Sequence, residues 1–361
     1  MKMQIARLCQ ATAFTLLACG VLSAVGMAQT DDNGQRVSPR FVVLPKKELA
    51  PNVKQPAGQL QVWNGTFNHQ GTNYSYQMVG ADPSTNTSAL IPTFVIPVSM
   101  TISGTNFSPL NGGSSSALAR TVLSPVFDLT TDYKQGGVDL GHTQYVDAFQ
   151  RGNFWSIVRN NPRSHTLLGG PTAHVTVLPT LTLTVPPQDG FIGHPFGPAA
   201  GEVDINYFDA QINAYMSAHP AITPATFPIF IVNDVYLTEG GCCIGGYHSA
   251  TGSQSYAMFD YDDHPGVFSQ DVSALSHEVA EWMDDPLLNG GNNTPCGILE
   301  VGDPLEGTAN YGGFPYVLHG FTYNLQDEVF IGYFGAPLST SVNSWYSFQN
   351  YPFSSICQNG S

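Results

Sequence analysis

Short apolar runs, cut by Gly, Pro, Asn and Ser, dominate the chain from residue 60 to about 185. Residues 90–102 (LIPTFVIPVSMTI), 173–177 and 181–185 are rich in Val, Ile, Thr and Phe, the residues of pleated, half-buried strands. Prolines inside these runs place them at edges and bulges. Residues 144–155 (QYVDAFQRGNFW) read as a helix. The pattern then changes. Residues 203–219 carry apolar positions near helical spacing and are stopped by Pro220, and residues 227–237 (FPIFIVNDVYL) form the continuous run of a buried strand. A shorter strand is expected over 255–261. A helix follows, roughly 270–283, with Ser269 as its N-cap and Asp271 in its first turn. Val272, Leu275, Val279 and Trp282 give it an apolar side, and Pro286 with Gly290-Gly291 end it. The expectation is an α+β protein, with a β-rich part over 58–198 and an α+β part with a mixed sheet over 199–361. Residues 29–57, polar and holding Lys46, Lys47 and Lys54, read as a flexible linker.

Composition sharpens this picture. The 361 residues are 42% hydrophobic but only 11% charged, with 37 Gly and 26 Pro. That excludes a coiled coil or long helical bundle. After Arg163 there is no Lys or Arg, whereas 19 Asp and Glu lie between Asp189 and Glu328. A buried carboxylate in this half has no nearby cationic side chain in sequence. It needs hydrogen bonds, a proton or a metal cation. The same charge repels nucleic acid and anionic membranes.

At the N-terminus, Lys2 and Arg7 precede an apolar stretch from Leu8 to about Val25 and the small-residue site Gly26-Met27-Ala28. Residues 1–28 thus read as a secretory signal peptide, with Cys19 as a lipoprotein-type alternative. The expected location is extracellular, or periplasmic or outer-surface in a bacterium, without membrane insertion after signal removal. Four cysteines follow the leader: Cys242, Cys243, Cys296 and Cys357. In an exported chain they read as two disulfides. A ring between neighbours is strained, so each disulfide is expected to tie the 242–243 turn to Cys296 or Cys357, with the pairing open.

The chemistry concentrates in Ser276-His277-Glu278-Val279-Ala280-Glu281-Trp282. His277 and Glu281, four apart on a helix, project from one face. In H-E-x-x-H helices the two outer residues hold zinc and the inner Glu takes a proton from water. Here Glu stands where the second His would be. Chance gives H-E-x-x-E about 0.005 times in a chain with this His and Glu content. Glu300, 19 residues beyond Glu281, is the expected third ligand, with Asp303 as its alternative. One imidazole and two carboxylates leave a divalent ion with a formal charge of about zero, against +1 for a His₂Glu site. Zn²⁺ is the expected ion, and this charge count admits harder Mn²⁺ or Fe²⁺.

Residues 270–303 resemble the active-site region of the zincin metallopeptidases, the gluzincin branch in particular. The resemblance implies His277, Glu281 and Glu300 as ligands and Glu278 as general base. It departs from the family at the second His. Its intervening segment, DDPLLNGGNNTPCG, also cannot continue a helix. A fainter similarity, in the GGCCIGGYHSA turn and the aromatic C-terminal strands, is to the plant phosphate-induced Exordium-like proteins.

The expected function is a secreted metal-dependent hydrolase, a peptidase acting on peptide or protein, with Glu278 as base. The alternatives are a secreted Ca²⁺-binding or cell-envelope binding module and an inactive zincin. Asp260, Asp262 and Asp263, with Asp271 nearby, offer oxygen ligands for a second, Ca²⁺ site. His248 reads as a loop histidine beside the cysteine turn. Tyr311, His319 and Tyr323 are candidate oxyanion donors.

Overall fold

The computed structural model describes residues 29–30, 36–49, 57–135, 138–288, 294–306, 313–335 and 346–347. The leader expected over 1–28 lies outside them. The molecule is a β-rich α+β protein built on one curled mixed sheet. The strands that position the site are β1 (Arg36–Val43), β2 (Thr93–Ile102), β3 (Gly190–Gly193), β4 (Ala200–Asp204), β5 (Phe227–Asn233), β6 (Val235–Thr238), β7 (Cys242–Thr251), β8 (Gln254–Tyr261) and β9 (Phe321–Gln326). Three helices matter: α1 (Tyr145–Asn153), α2 (Ile205–Ala218) and α3 (Ser273–Asp284).

The sheet is hydrogen-bonded in the order β2, β5, β8, β7, β6, β4, β3, and β1 pairs in parallel with β7. β5 lies parallel to both β2 and β8, and every one of its residues is buried. Its unbroken apolar run follows from that burial on both faces. β7 and β8 form an antiparallel hairpin. α2 lies on one face of the sheet, in a core with Phe230, Val232 and Met258. α3 lies in the core of the other face, with Phe227, Ile229 and Phe259. Trp282 of α3 stacks on Phe227 at 3.5 Å and donates its indole N–H to Ser255 Oγ at 2.9 Å.

Several sequence expectations change here. The boundary expected near residue 198 does not divide the sheet, because β2 pairs with β5 across it. Residues 36–43, placed in a linker by their polarity, form a strand whose Phe41 is buried. Ser269 does not cap α3. Val272 stands at the N-cap, and Ser269 Oγ donates instead to Asp260 at 3.0 Å. Cys242 and Cys243 are bonded to each other across a cis peptide, with Cα atoms 3.1 Å apart. Both sulfurs are used in this bond, so neither is left for the expected tie to Cys296 or Cys357. The Cys296 side chain and Cys357 lie outside the described residues.

Candidate metal centre

α3 is buried along its whole length. Its apolar positions fill the core, and its polar ones, His277, Glu278 and Glu281, meet β7, β9 and the segment 300–306. His277 is held from two sides. Its Nδ1 lies 2.5 Å from Gln326 Oε1 at the end of β9. Gln326 is itself fixed, its backbone N–H donating to Ser276 Oγ at 2.8 Å and its Nε2 to Gly302 O at 3.4 Å. An amide oxygen only accepts, so a proton of the His277 ring sits on Nδ1. The other ring nitrogen, Nε2, is buried and has no hydrogen-bond partner. It points between Glu281 Oε2, at 3.2 Å, and Asp303 Oδ1, at 3.8 Å. Phe41 of β1 packs against the imidazole, ring centroids 4.3 Å apart, and its backbone N–H donates to Glu306 Oε1 at 2.7 Å.

Glu281 is fixed by Gly302, whose N–H donates to Oε1 at 3.1 Å. A Cβ at residue 302 would collide with His277 Nδ1 and sit 3.0 Å from Glu328 Oε2, so only glycine allows this approach. On the other flank of the helix, Glu278 Oε2 lies 3.2 Å from His248 Nδ1, and the same nitrogen is 3.9 Å from Glu281 Oε2. His248 is fully buried on β7. A Cβ at Gly246, two residues before it, would come within 2.8 Å of Glu278 Oε1.

The electrostatics of this cluster are unfavourable without a cation. Burial first, then the charges of Glu281 and Asp303, pushes the Glu278 carboxyl well above its ordinary range. Burial and Asp303 do the same to Glu281. Glu300, Glu328 and Asp284 are raised well above theirs, each chiefly by burial and then by a neighbouring glutamate. Burial depresses His248 to about 3, with His277 adding to the effect, so it is neutral at physiological pH. Among the described residues no Lys or Arg forms an ion pair with Glu278, Glu281 or Asp303, and these carboxyl groups converge on the neutral His248 and on His277. One nitrogen and two oxygens suit Zn²⁺, Mn²⁺ or Fe²⁺. The partnerless Nε2, the Gln326 anchor on the far nitrogen and the space kept by Gly302 are the features a metal-ligating histidine needs.

The structure brings His277, Glu281 and Asp303 into one group, and His248, Glu278 and Glu281 into a second. Glu300, expected as the first choice of third ligand, stands beside Glu281 but outside both groups. A third group, Asp234, Asp262 and His264, forms near the other end of β6. Of the expected second site, only Asp262 belongs to it. Asp260 turns inward and accepts from Val235 N and Ser269 Oγ, and Asp263 accepts from Asn233 Nδ2. Asp271 accepts from Asn324 and Val272. His319 pairs with Asp128 at 3.0 Å and Tyr323 OH donates to Arg120 O at 3.1 Å, so neither faces α3. Tyr311 lies outside the described residues. His248, Gly302, Gln326 and Glu328 are members of the site that no motif in the sequence assigns to it. The small residues of Gly245-Gly246-Tyr247-His248-Ser249-Ala250 come in pairs and do not alternate, so no period-2 pattern marks His248 as a strand residue. The chain matches no protein-family model, no curated protein and no solved structure.

Proposed function

We propose that this protein is a metal-dependent hydrolase, a peptidase of zincin-like design, with His277, Glu281 and Asp303 as cation ligands. One observation carries the reading: a fully buried imidazole, anchored through Nδ1, offers an unpartnered Nε2 to two carboxylates. A divalent ion bound there would polarise a carbonyl and acidify water. Glu278 follows His277 directly and its Oε1 has no hydrogen-bond partner, which supports taking it as the acceptor of the proton from water. The Asp303 side chain, 43% exposed, marks the solvent side of the group. The variant Glu278→Gln tests this. It is expected to keep the ion of the His277 group and to lose peptide hydrolysis by a factor of about 10²–10⁴. Hydrolysis at the wild-type rate in that variant would remove the assignment.

The burial of the cluster favours a second reading, in which the ion serves structure alone. His277, Glu278 and Glu281 are all at most 1% exposed. Stoichiometric metal without hydrolysis of any peptide library would select this reading over the first.

A further inference from the structure

His248, Glu278, Glu281, His277 and Asp303 do not gather into one group. They form two, with Glu281 common to both. Each group offers one imidazole and two carboxylates. A tetrahedral shell with bonds of about 2.1 Å has ligand atoms about 3.4 Å apart. The separations here are 3.2 and 3.9 Å around His248 and 3.2 and 3.8 Å around His277. Histidine–carboxylate pairs elsewhere in the molecule run from 2.7 Å for His165–Asp147 to 4.0 Å for His142–Asp132. Without an ion, His248 Nδ1 and Glu278 Oε2 share a hydrogen bond, which a cation seated between them would replace. His277 Nε2 on one flank is without a hydrogen-bond partner, whereas on the other the atoms that face the group, His248 Nδ1 and Glu278 Oε2, are partnered only with each other.

We propose that the centre holds two divalent cations, one bound by His277, Glu281 and Asp303 and the other by His248, Glu278 and Glu281, with the Glu281 carboxylate shared between them. The proposal rests on reading the first of these groups as a cation site. Glu281 Oε2 is the atom that faces both imidazoles, at 3.2 Å from His277 Nε2 and 3.9 Å from His248 Nδ1. Charge supports the count. Glu278, Glu281 and Asp303 leave one divalent ion with a net charge of about −1, and two with about +1. The second value is that of an ordinary His₂Glu zinc site. The histidine missing from H-E-x-x-E is thus made up on the strand opposite, by an imidazole that brings its own ion. Glu278 holds the second ion through Oε2, the atom nearest His248, and keeps Oε1 for a proton.

The test is metal stoichiometry. Full-length protein stripped with chelator is titrated with Mn²⁺, and bound ion is measured by elemental analysis and by the electron paramagnetic resonance of paired against isolated Mn²⁺. Wild type is expected to bind two ions per chain with a spin-coupled signal. His248→Ala and the isosteric Glu278→Gln are each expected to bind one, with the signal of an isolated ion. His277→Ala is expected to leave at most the His248 ion. One ion in wild type, unchanged in His248→Ala and in Glu278→Gln, overturns the second site and leaves the first standing. No bound ion in wild type overturns both. Two ions in wild type that persist in both variants reject His248 and Glu278 as ligands. Because Glu278→Gln preserves shape, a His248→Ala chain that fails to fold does not remove the test.

Discussion

Tyr247 and His248 are neighbours on β7, and their side chains leave opposite faces of the sheet toward two buried carboxylates. Asp209, on α2, is fully buried and saturated with donors. Tyr247 OH donates to it at 2.9 Å and Tyr256 OH at 2.8 Å, Asn213 Nδ2 reaches it at 3.0 Å, and the Lys47 ammonium pairs with it. Glu281, on α3, meets one backbone N–H, the carboxyl of Glu300 and two imidazoles. The same strand thus serves a closed ionic pair on one face and an open set of lone pairs on the other. Burying a charge is tolerable when its partners supply protons or positive charge. On the α2 face the chain supplies them itself. On the α3 face it supplies acceptors, the set that the proposed cation would complete.

The strongest way to break this contrast is to remove a ligand. His277→Ala should weaken binding of the ion in its group by more than about 100-fold, a larger loss than outer-shell changes cause. Equilibrium dialysis with Zn²⁺ or Mn²⁺ measures it. Asp271 offers an intermediate case, a buried carboxylate with neutral donors only, from Val272 N, Asn324 N and Asn324 Nδ2. Burial raises its pKa to about 6, against an ordinary value of 3.8. The folded chain therefore keeps this proton over a range where the unfolded chain has lost it. Its contribution to stability is fully present below about pH 4, falls as pH rises to 6, and is constant above. The span corresponds to about 3 kcal/mol. Denaturant titrations across pH 4–7 should show a flatter profile for Asp271→Asn than for wild type.

Gly302→Ala sharpens the comparison from the other side. The added methyl collides with His277, and overpacking of this kind costs about 2–3 kcal/mol. Stability is expected to fall along with metal affinity, read as a lower melting temperature whose response to added ion is also smaller. The smallest effect is expected at the saturated carboxylate. Tyr247→Phe removes one of several donors to Asp209 and should cost about 1.5 kcal/mol. That cost should be the same with and without chelator. A metal-dependent cost there would mean the two faces of β7 are not independent.

The part of this centre visible in the sequence is the part set by local geometry. His277 and Glu281 lie on one face because a helix places residues four apart together, and the apolar spacing around them announces the helix. Asp303 is legible as an alternative to Glu300. Choosing between them depends on the turn at Gly302, where a backbone N–H reaches Glu281, and no spacing rule encodes that contact. His248 is harder still, since strand register brings it 30 positions back along the chain to Glu278. The disulfide expectation fails because it takes the strain of a ring between neighbours as decisive, and Cys242 and Cys243 are bonded to each other all the same. Polarity also misplaces residues 36–43: an outer strand can carry Arg, Ser and Pro and still pair, provided Val37 and Phe41 face the core.

That outer strand has a practical consequence for anyone preparing the protein. An expression clone begun at residue 58, the natural choice if everything before it is discarded as tether, would strip the parallel neighbour from β7 and the phenyl ring from His277. It would also free Glu306 from the Phe41 amide. A shortened product that fails to take up the proposed ion, or that precipitates, would reflect the trimming, and would say nothing about how the native chain behaves.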